Sequence, residues 1–299
     1  MRVGTATPPP LEGLVRFAAQ ALKGRGSLTA IVLLITLLLT RCSAVPPAET
    51  AAALANAAGF QRLVIAAPPF QLLAYVKGRG PVVRVYIEGD GHAWRDRYTP
   101  SDDPTPWSPV ALALAAADPA SAVAWLARPC QYLLNNNRPP CGPDWWTGWR
   151  YHETVIASES AALDRLRAAM GAERFELVGF SGGGAVAALV AARRRDIVSL
   201  RSVAANLDTD AWTAGHQVSP LEGSLNPADF AAQLEDVPQR HFVGADDDVV
   251  GLAVTRSFLA RLPSRRCAAV VVVPRIGHDT GWPAIWPDLL QQNLGCTPK

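Results

Sequence analysis

Three residue types, far apart along the chain, have the chemistry to cleave a bond together. Ser181 stands in "FELVGFSGGGAVAALVAARRR", residues 175–195, after a short β-type run and before an alanine-rich helical pattern. Gly179 and Gly183 lie two positions before and two positions after it. Where a chain turns sharply from strand to helix, residues at those two positions are pressed together and a Cβ there clashes. Ser181 is then held in a strained conformation with its Oγ projecting outward. The bland alternative is a Gly-Ser loop in which Ser181 only caps a helix. The strand before it and the helix after it favour the first reading.

A serine hydroxyl is a poor nucleophile at neutral pH and needs an imidazole nearby as base. The chain has five histidines. His92 lies after the third strand-like run, His152 at a helix start, His216 in a polar excursion and His241 inside a strand. His278 stands in "RIGHDTGW", just past the run "VVVVP", where it reaches the same edge as Ser181. A third group must orient the imidazole and stabilise its cation. The turn "GADDDVV" offers Asp246, Asp247 and Asp248. A solvated acidic turn is the ordinary reading of such a run, but adjacent carboxylates repel, so stability alone does not explain it. Charge developing on a substrate oxygen also needs donors. The N–H of Gly182, first in the helix after the serine, is one by geometry.

The elements that must carry these residues alternate. Strand-like runs cover 61–67, 71–77, 82–89, 121–127, 175–180, 199–206, 240–245 and 268–274, and helical patterns such as "HETVIASESAALDRLRAAMG" and "GLAVTRSFLARL" separate the later ones. The close spacing of the first three suits an antiparallel start, and the alternation that follows builds a mostly parallel sheet between helices. Runs as apolar as "AAVVVVP" suit a sheet covered on both faces. Ligands of such sheets bind beyond the carboxyl ends of the strands, where Ser181 lies.

With "GFSGG", "GADDDVV" and "GHDTGW" in the order Ser, Asp, His, residues 60–295 resemble the α/β-hydrolase superfamily. The resemblance implies an α/β fold, a three-layer αβα sandwich on a mostly parallel eight-stranded sheet. It implies a serine hydrolase that forms an acyl-enzyme, cleaving a carboxylic ester as a carboxylesterase or lipase does. Amide or peptide hydrolysis and a non-catalytic binding protein on the same fold are the alternatives. Gly277-His278 matches the family's Gly-His after the last strand. Counting from Gly244 puts Asp247 on the functional carboxylate, with Val249 and Val250 as the apolar pair opening the next helix. The loop "IEGDGHAW" resembles the HGGG-type loop of esterases, with Glu88 in place of histidine and Asp90 in place of a glycine. The N–H of Asp90, with Gly91 next, is the implied second oxyanion donor.

Composition narrows the setting. The formal net charge is only +2 and the basic residues are scattered, so nothing points to nucleic acid. There is no phosphate-binding loop and no histidine pair at metal spacing, so neither cofactor nor metal is expected, and the expected partner is a small-molecule ester acted on by a monomer. Residues 1–44 read as an export signal and linker: the apolar run "LTAIVLLITLLL" follows Lys23 and Arg25. Cys42 sits where a lipobox cysteine would be acylated, although Arg41 departs from the small residue expected there. The chain is then a periplasmic or outer-membrane lipoprotein attached through Cys42. Cleavage ahead of Val45 is the alternative and leaves a soluble periplasmic or secreted form. Pro46 and Pro47 read as linker.

Residues 45–299 form the domain, with loop insertions at 128–150 and 206–226. Removing Cys42 from the five cysteines leaves an even set. Cys130 follows the fourth strand and Cys141 precedes the next helix, both at the active-site edge. Cys267 opens the last strand at the opposite edge, toward which the final helix returns with Cys296. The expected pairs are Cys130 with Cys141 and Cys267 with Cys296. Trp145, Trp146 and Trp149 in the first insertion either line an apolar acyl pocket or pack their loop down. The second insertion is a candidate for another pocket wall.

Overall fold

The computed structural model describes residues 45–134 and 139–296. Cys42 and the proposed export signal lie outside them. Eight strands form one sheet in the order β1-β2-β4-β3-β5-β6-β7-β8. They are β1 (Gln61–Ala67), β2 (Phe70–Lys77), β3 (Val82–Ile87), β4 (Val123–Leu126), β5 (Arg174–Phe180), β6 (Ile197–Val203), β7 (Gln239–Gly244) and β8 (Ala268–Val273). β2 runs antiparallel to both β1 and β4, and every other pairing is parallel. Crossovers with helices make that parallel part possible.

The helices are α1 (Pro47–Ala57), α2 (Val110–Ala117), α3 (Glu153–Met170), α4 (Gly182–Ala191), α5 (Thr209–His216), α6 (Leu252–Ala260) and α7 (Trp282–Leu290). The strands alternate between two cores. Val83, Val85 and Ile87 of β3 face the core shared with α3, α4 and α6, whereas Tyr86 faces the one built with α1, α2 and α7. That period-two division is what a sheet buried on both faces requires.

Three local readings need correction. Pro47 is not extended linker but the first residue of α1, where a proline costs nothing because its N–H would have no intrahelical acceptor, while Pro46 before it keeps extended angles, φ −55° and ψ 142°. β6 stops at Val203 instead of running to residue 206, since Ala204 takes φ 50° and leaves the strand. β8 is an edge strand whose Val272 is exposed, so its run of valines does not come from cover on both faces.

Elsewhere residue choice explains the elements directly. His152 caps α3 by accepting from the N–H of Thr154 at 3.1 Å, and Gly171 ends it at φ 68°. Every residue of α4 is buried, and its small side chains let it lie close on the sheet. The cysteines pair Cys130 with Cys141 and Cys267 with Cys296, as their strand positions imply. Among the described residues no helix is long and apolar enough to cross a membrane.

Candidate active site

Ser181 lies between the end of β5 and the start of α4 with φ 50° and ψ −122°, a conformation that L residues avoid. The glycines around it explain how the turn closes. A Cβ on Gly179 would collide with the backbone of Gly183 and Gly184, and one on Gly183 would collide with the carbonyls of Ile87 and Glu88 at the end of β3. Gly183 is therefore demanded by the neighbouring strand as much as by the turn itself.

The loops after β7 and β8 approach each other closely. Gly244 lies so near the carbonyl of Ile276 that a Cβ would overlap it, and the N–H of Asp246 donates to Ile276 O at 3.0 Å. Trp282 Nε1 holds the second loop by donating to the carbonyl oxygens of Gly277 and His278 at 3.1 and 2.9 Å. His278 Nε2 comes 3.0 Å from Ser181 Oγ, and His278 Nδ1 comes 3.0 Å from Asp247 Oδ2 and 3.1 Å from Oδ1. The Asp247 side chain is fully buried, while Asp246 and Asp248 are exposed. Asp247 Oδ1 also accepts from the N–H groups of Val249 and Val250 at 2.9 and 2.8 Å. These valines form a turn and do not open α6, which starts later, at Leu252.

The other histidines sit elsewhere. His241 is buried in β7, where it bonds Ser202 Oγ at 2.9 Å and Gln239 Oε1 at 3.2 Å. Burial, then the charge of Arg240, pushes its pKa down to about 3, so it stays neutral. His216 bonds the carbonyl of Val249 and His152 caps α3. His92 lines the cavity beside Ser181.

That cavity measures about 490 Å³ and also borders Asp90, Gly91, Asn206 and Arg150. Gly182, as first residue of α4, has an N–H without an intrahelical acceptor. The N–H of Asp90 donates to no described atom. Glu88, in the loop that follows β3, is buried. It accepts from Trp125 Nε1 at 2.9 Å and from the N–H groups of Gly89, Ala111 and Leu112 at 3.0, 3.3 and 3.4 Å.

The tryptophans of the first insertion do not line the cavity. Trp145 packs edge-on against Phe70 and Trp149, each at 5.1 Å, and Trp146 is buried in the core with α3. They pack their loop down, the second of the two readings. The cavity wall is made instead by Trp94, Trp107 and Trp212. Trp212 and Asn206 belong to the second insertion, which does supply a wall. Trp94 and Trp107 follow β3, and Trp107 is 57% exposed. The signal that could have found them is two tryptophans in one polar, proline-containing loop just past a strand's carboxyl end. Among the described residues no cluster of histidine, cysteine or carboxylate side chains has a metal-binding arrangement.

The described chain is similar in structure to Est1E from Butyrivibrio proteoclasticus, with 14% identity, a TM-score of 0.54, and 77% of this chain and 96% of that one covered. It is similar to a serine hydrolase without lid from Xanthomonas campestris, with 15% identity, a TM-score of 0.51, and 80% and 97% covered. The esterase domain of a Rhodothermus marinus protein has 12% identity, a TM-score of 0.53, and 77% and 95% covered. No protein-family model and no curated protein matches the chain. At these identities the likeness establishes architecture: the chain has the α/β-hydrolase fold.

Proposed function

We propose that this α/β-hydrolase-fold chain is a serine hydrolase that cleaves small carboxylic esters through an acyl-enzyme. The observation that carries the reading is the unbroken line from Asp247 through His278 to Ser181, with 3.0 Å at each step. Ser181 Oγ attacks the carbonyl carbon while its proton passes to His278 Nε2. The carbonyl oxygen takes the negative charge and is held by the N–H groups of Gly182 and Asp90. The tetrahedral intermediate collapses, the ester C–O bond breaks, and His278 returns the proton to the departing alkoxide. Water, deprotonated by His278, then attacks the acyl-enzyme and releases the acid and Ser181. Asp247 keeps the Nδ1 proton of His278 in place and stabilises the imidazolium. The two disulfides support an oxidising compartment for the chain, in keeping with the export signal read in residues 1–44.

Two assays on the mature protein test this. A fluorophosphonate should label one residue, and peptide mapping should find it at Ser181. A series of chromogenic esters of increasing acyl length should then show turnover at the labelled site. Labelling at any other serine, or no turnover of any ester by a protein that labels at Ser181, would overturn the esterase reading. Turnover of anilides in place of esters would turn it to amide hydrolysis.

A further inference from the structure

The side chain of Asp90, as distinct from its backbone N–H, is the meeting point of three buried donors. Arg128 Nη1 lies 3.1 Å from Oδ1, Arg150 Nη1 lies 3.1 Å from Oδ2, and the Tyr151 hydroxyl donates to Oδ2 at 2.8 Å. Burial opposes ionisation of this carboxyl, but Arg150, Arg128 and Tyr151 outweigh it and hold its pKa below the usual range. The arginines are themselves tied down. Arg128 Nη2 donates to the carbonyl of Arg150, and Arg150 Nε donates to that of Thr147 at 2.7 Å. On its other side the carboxylate lies against Gly182, where any Cβ would collide with it. The Cys130–Cys141 disulfide closes the segment that begins just after Arg128 and ends before Arg150.

An ionised carboxylate is an odd neighbour for a place where an oxygen must become negative, since like charges repel. Two arginines on one carboxylate reverse the sign. The remaining acid that faces the cluster is Glu159. It is fully buried, 3.6 Å from Arg128 Nε, and neither of its oxygens has a hydrogen-bond partner among the described residues. Burial raises its pKa to about 8 against the pull of Arg128, so at neutral pH it is largely uncharged. Asp90, Arg128 and Arg150 together carry one formal positive charge, and the raised pKa of Glu159 works against its cancelling that charge.

We propose that Asp90 is the positioning residue of the oxyanion site: its carboxylate, gripped by Arg128, Arg150 and Tyr151 and seated on Gly182, fixes the N–H groups of Asp90 and Gly182 at one separation. The inference rests on the serine hydrolase reading. An interaction that matters only once the oxyanion has formed changes kcat and leaves substrate binding almost untouched.

The test compares Asp90→Asn and Tyr151→Phe with the unaltered protein on a small acetate ester, with rates referred to active sites titrated by fluorophosphonate. Asp90→Asn keeps the shape but turns an amide toward two guanidinium groups. It should lower kcat about 100-fold, near the effect of losing one oxyanion donor, with KM moving less than about three-fold. Tyr151→Phe should lower kcat about 5- to 10-fold. In both, a trifluoromethyl ketone, whose hemiketal oxygen occupies the oxyanion site, should lose affinity by the factor lost in kcat/KM. A merely structural role would lower the titratable fraction and the melting temperature with kcat per site unchanged, and that result overturns the inference. Should Asp90→Asn fail to fold, Tyr151→Phe decides on the same criterion. If the unaltered protein does not label at Ser181, the hydrolase reading falls and takes this inference with it. If it labels normally and both variants turn over at the unaltered rate per site, this inference falls alone.

Discussion

Asn206 donates its backbone N–H to the carbonyl oxygen of Ser181 at 3.2 Å, so the loop after β6 grips the main chain of the residue at the turn. Gly184 N–H donates to the same carbonyl at 3.0 Å, and Ser181 N–H donates to Val203 O at 2.9 Å. The strained backbone of Ser181 is held by these main-chain bonds, none of which uses its hydroxyl. Ser181→Ala should therefore fold with a melting temperature within about two degrees of the parent, a surface-like change in stability. Ester turnover should fall on the order of a million-fold, as where a triad acts as a unit. Steady-state rates on a preparation free of contaminating esterase, together with a thermal melt, check both halves.

Asp247 differs from its neighbours in what it touches. Its carboxylate faces His278 and also accepts from two backbone amides, while Asp246 and Asp248 face solvent. In Asp247→Asn the remaining oxygen can keep the valine amides, which leaves an NH₂ group against His278 Nδ1 and favours the wrong tautomer. Turnover should drop roughly four orders of magnitude. Asp246→Asn and Asp248→Asn should stay within about three-fold of the parent. A larger loss at either flanking position would show that the count from Gly244 is off by one.

The tryptophans should separate by phenotype. Trp107→Ala removes an exposed wall of the cavity beside Ser181 and should raise KM for bulky esters about ten-fold or more, with stability nearly unchanged. Trp145→Ala removes a ring packed on Phe70 and Trp149, and should cost about 3 kcal/mol of stability while leaving KM in place. Denaturant unfolding beside KM measurements distinguishes them, and exchanged outcomes would move the substrate to the first insertion.

Two buried groups set opposite pH slopes on stability. His241 titrates at about 3 when folded against 6.5 as its ordinary value, so between these limits the unfolded chain binds the extra proton and stability rises with pH. Glu159 titrates at about 8 against 4.5, so the folded chain holds the extra proton and stability falls as pH climbs from 4.5 to 8. Each slope is at most about 1.4 kcal/mol per pH unit. They oppose one another from 4.5 to 6.5, and above that window the Glu159 slope acts alone. Urea unfolding at pH 6.5 and 8 should show the decline, and Glu159→Gln should flatten it. An equally steep fall in the variant would exclude Glu159 as its source.

How far the sequence could be read follows the range of the interactions. Gly179 and Gly183 speak for the turn at Ser181 because the clash they avoid is local, and Asp247 can be counted from Gly244 because both lie on one short loop. The cysteine pairs could be read from strand ends, since topology decides which edge each thiol occupies. The grip on Asp90 could not be read in this way. Its partners lie 38, 60 and 61 residues away, and no local pattern announces that two arginines will turn inward to meet one carboxylate. The pocket tryptophans are hard to read for a related reason: Trp145, Trp146 and Trp149 stand close together in a loop that folds onto the core, while the cavity takes Trp94 and Trp107 from the loop after β3 and Trp212 from the second insertion. The end of β6 is not legible either, because small apolar residues do not mark the positive φ at Ala204.

Glu88 carries a consequence for the loop that follows β3. Its two oxygens collect four donors from three elements: the indole of β4, the first turn of α2, and the N–H of the next residue. What the position demands is acceptor capacity pointed at a helix start, and a carboxylate offers more of it than an imidazole does. In this chain one buried side chain therefore answers both the indole of β4 and the open N–H groups at the start of α2, so the loop after β3 is moored to two elements at the residue just before it leaves the sheet.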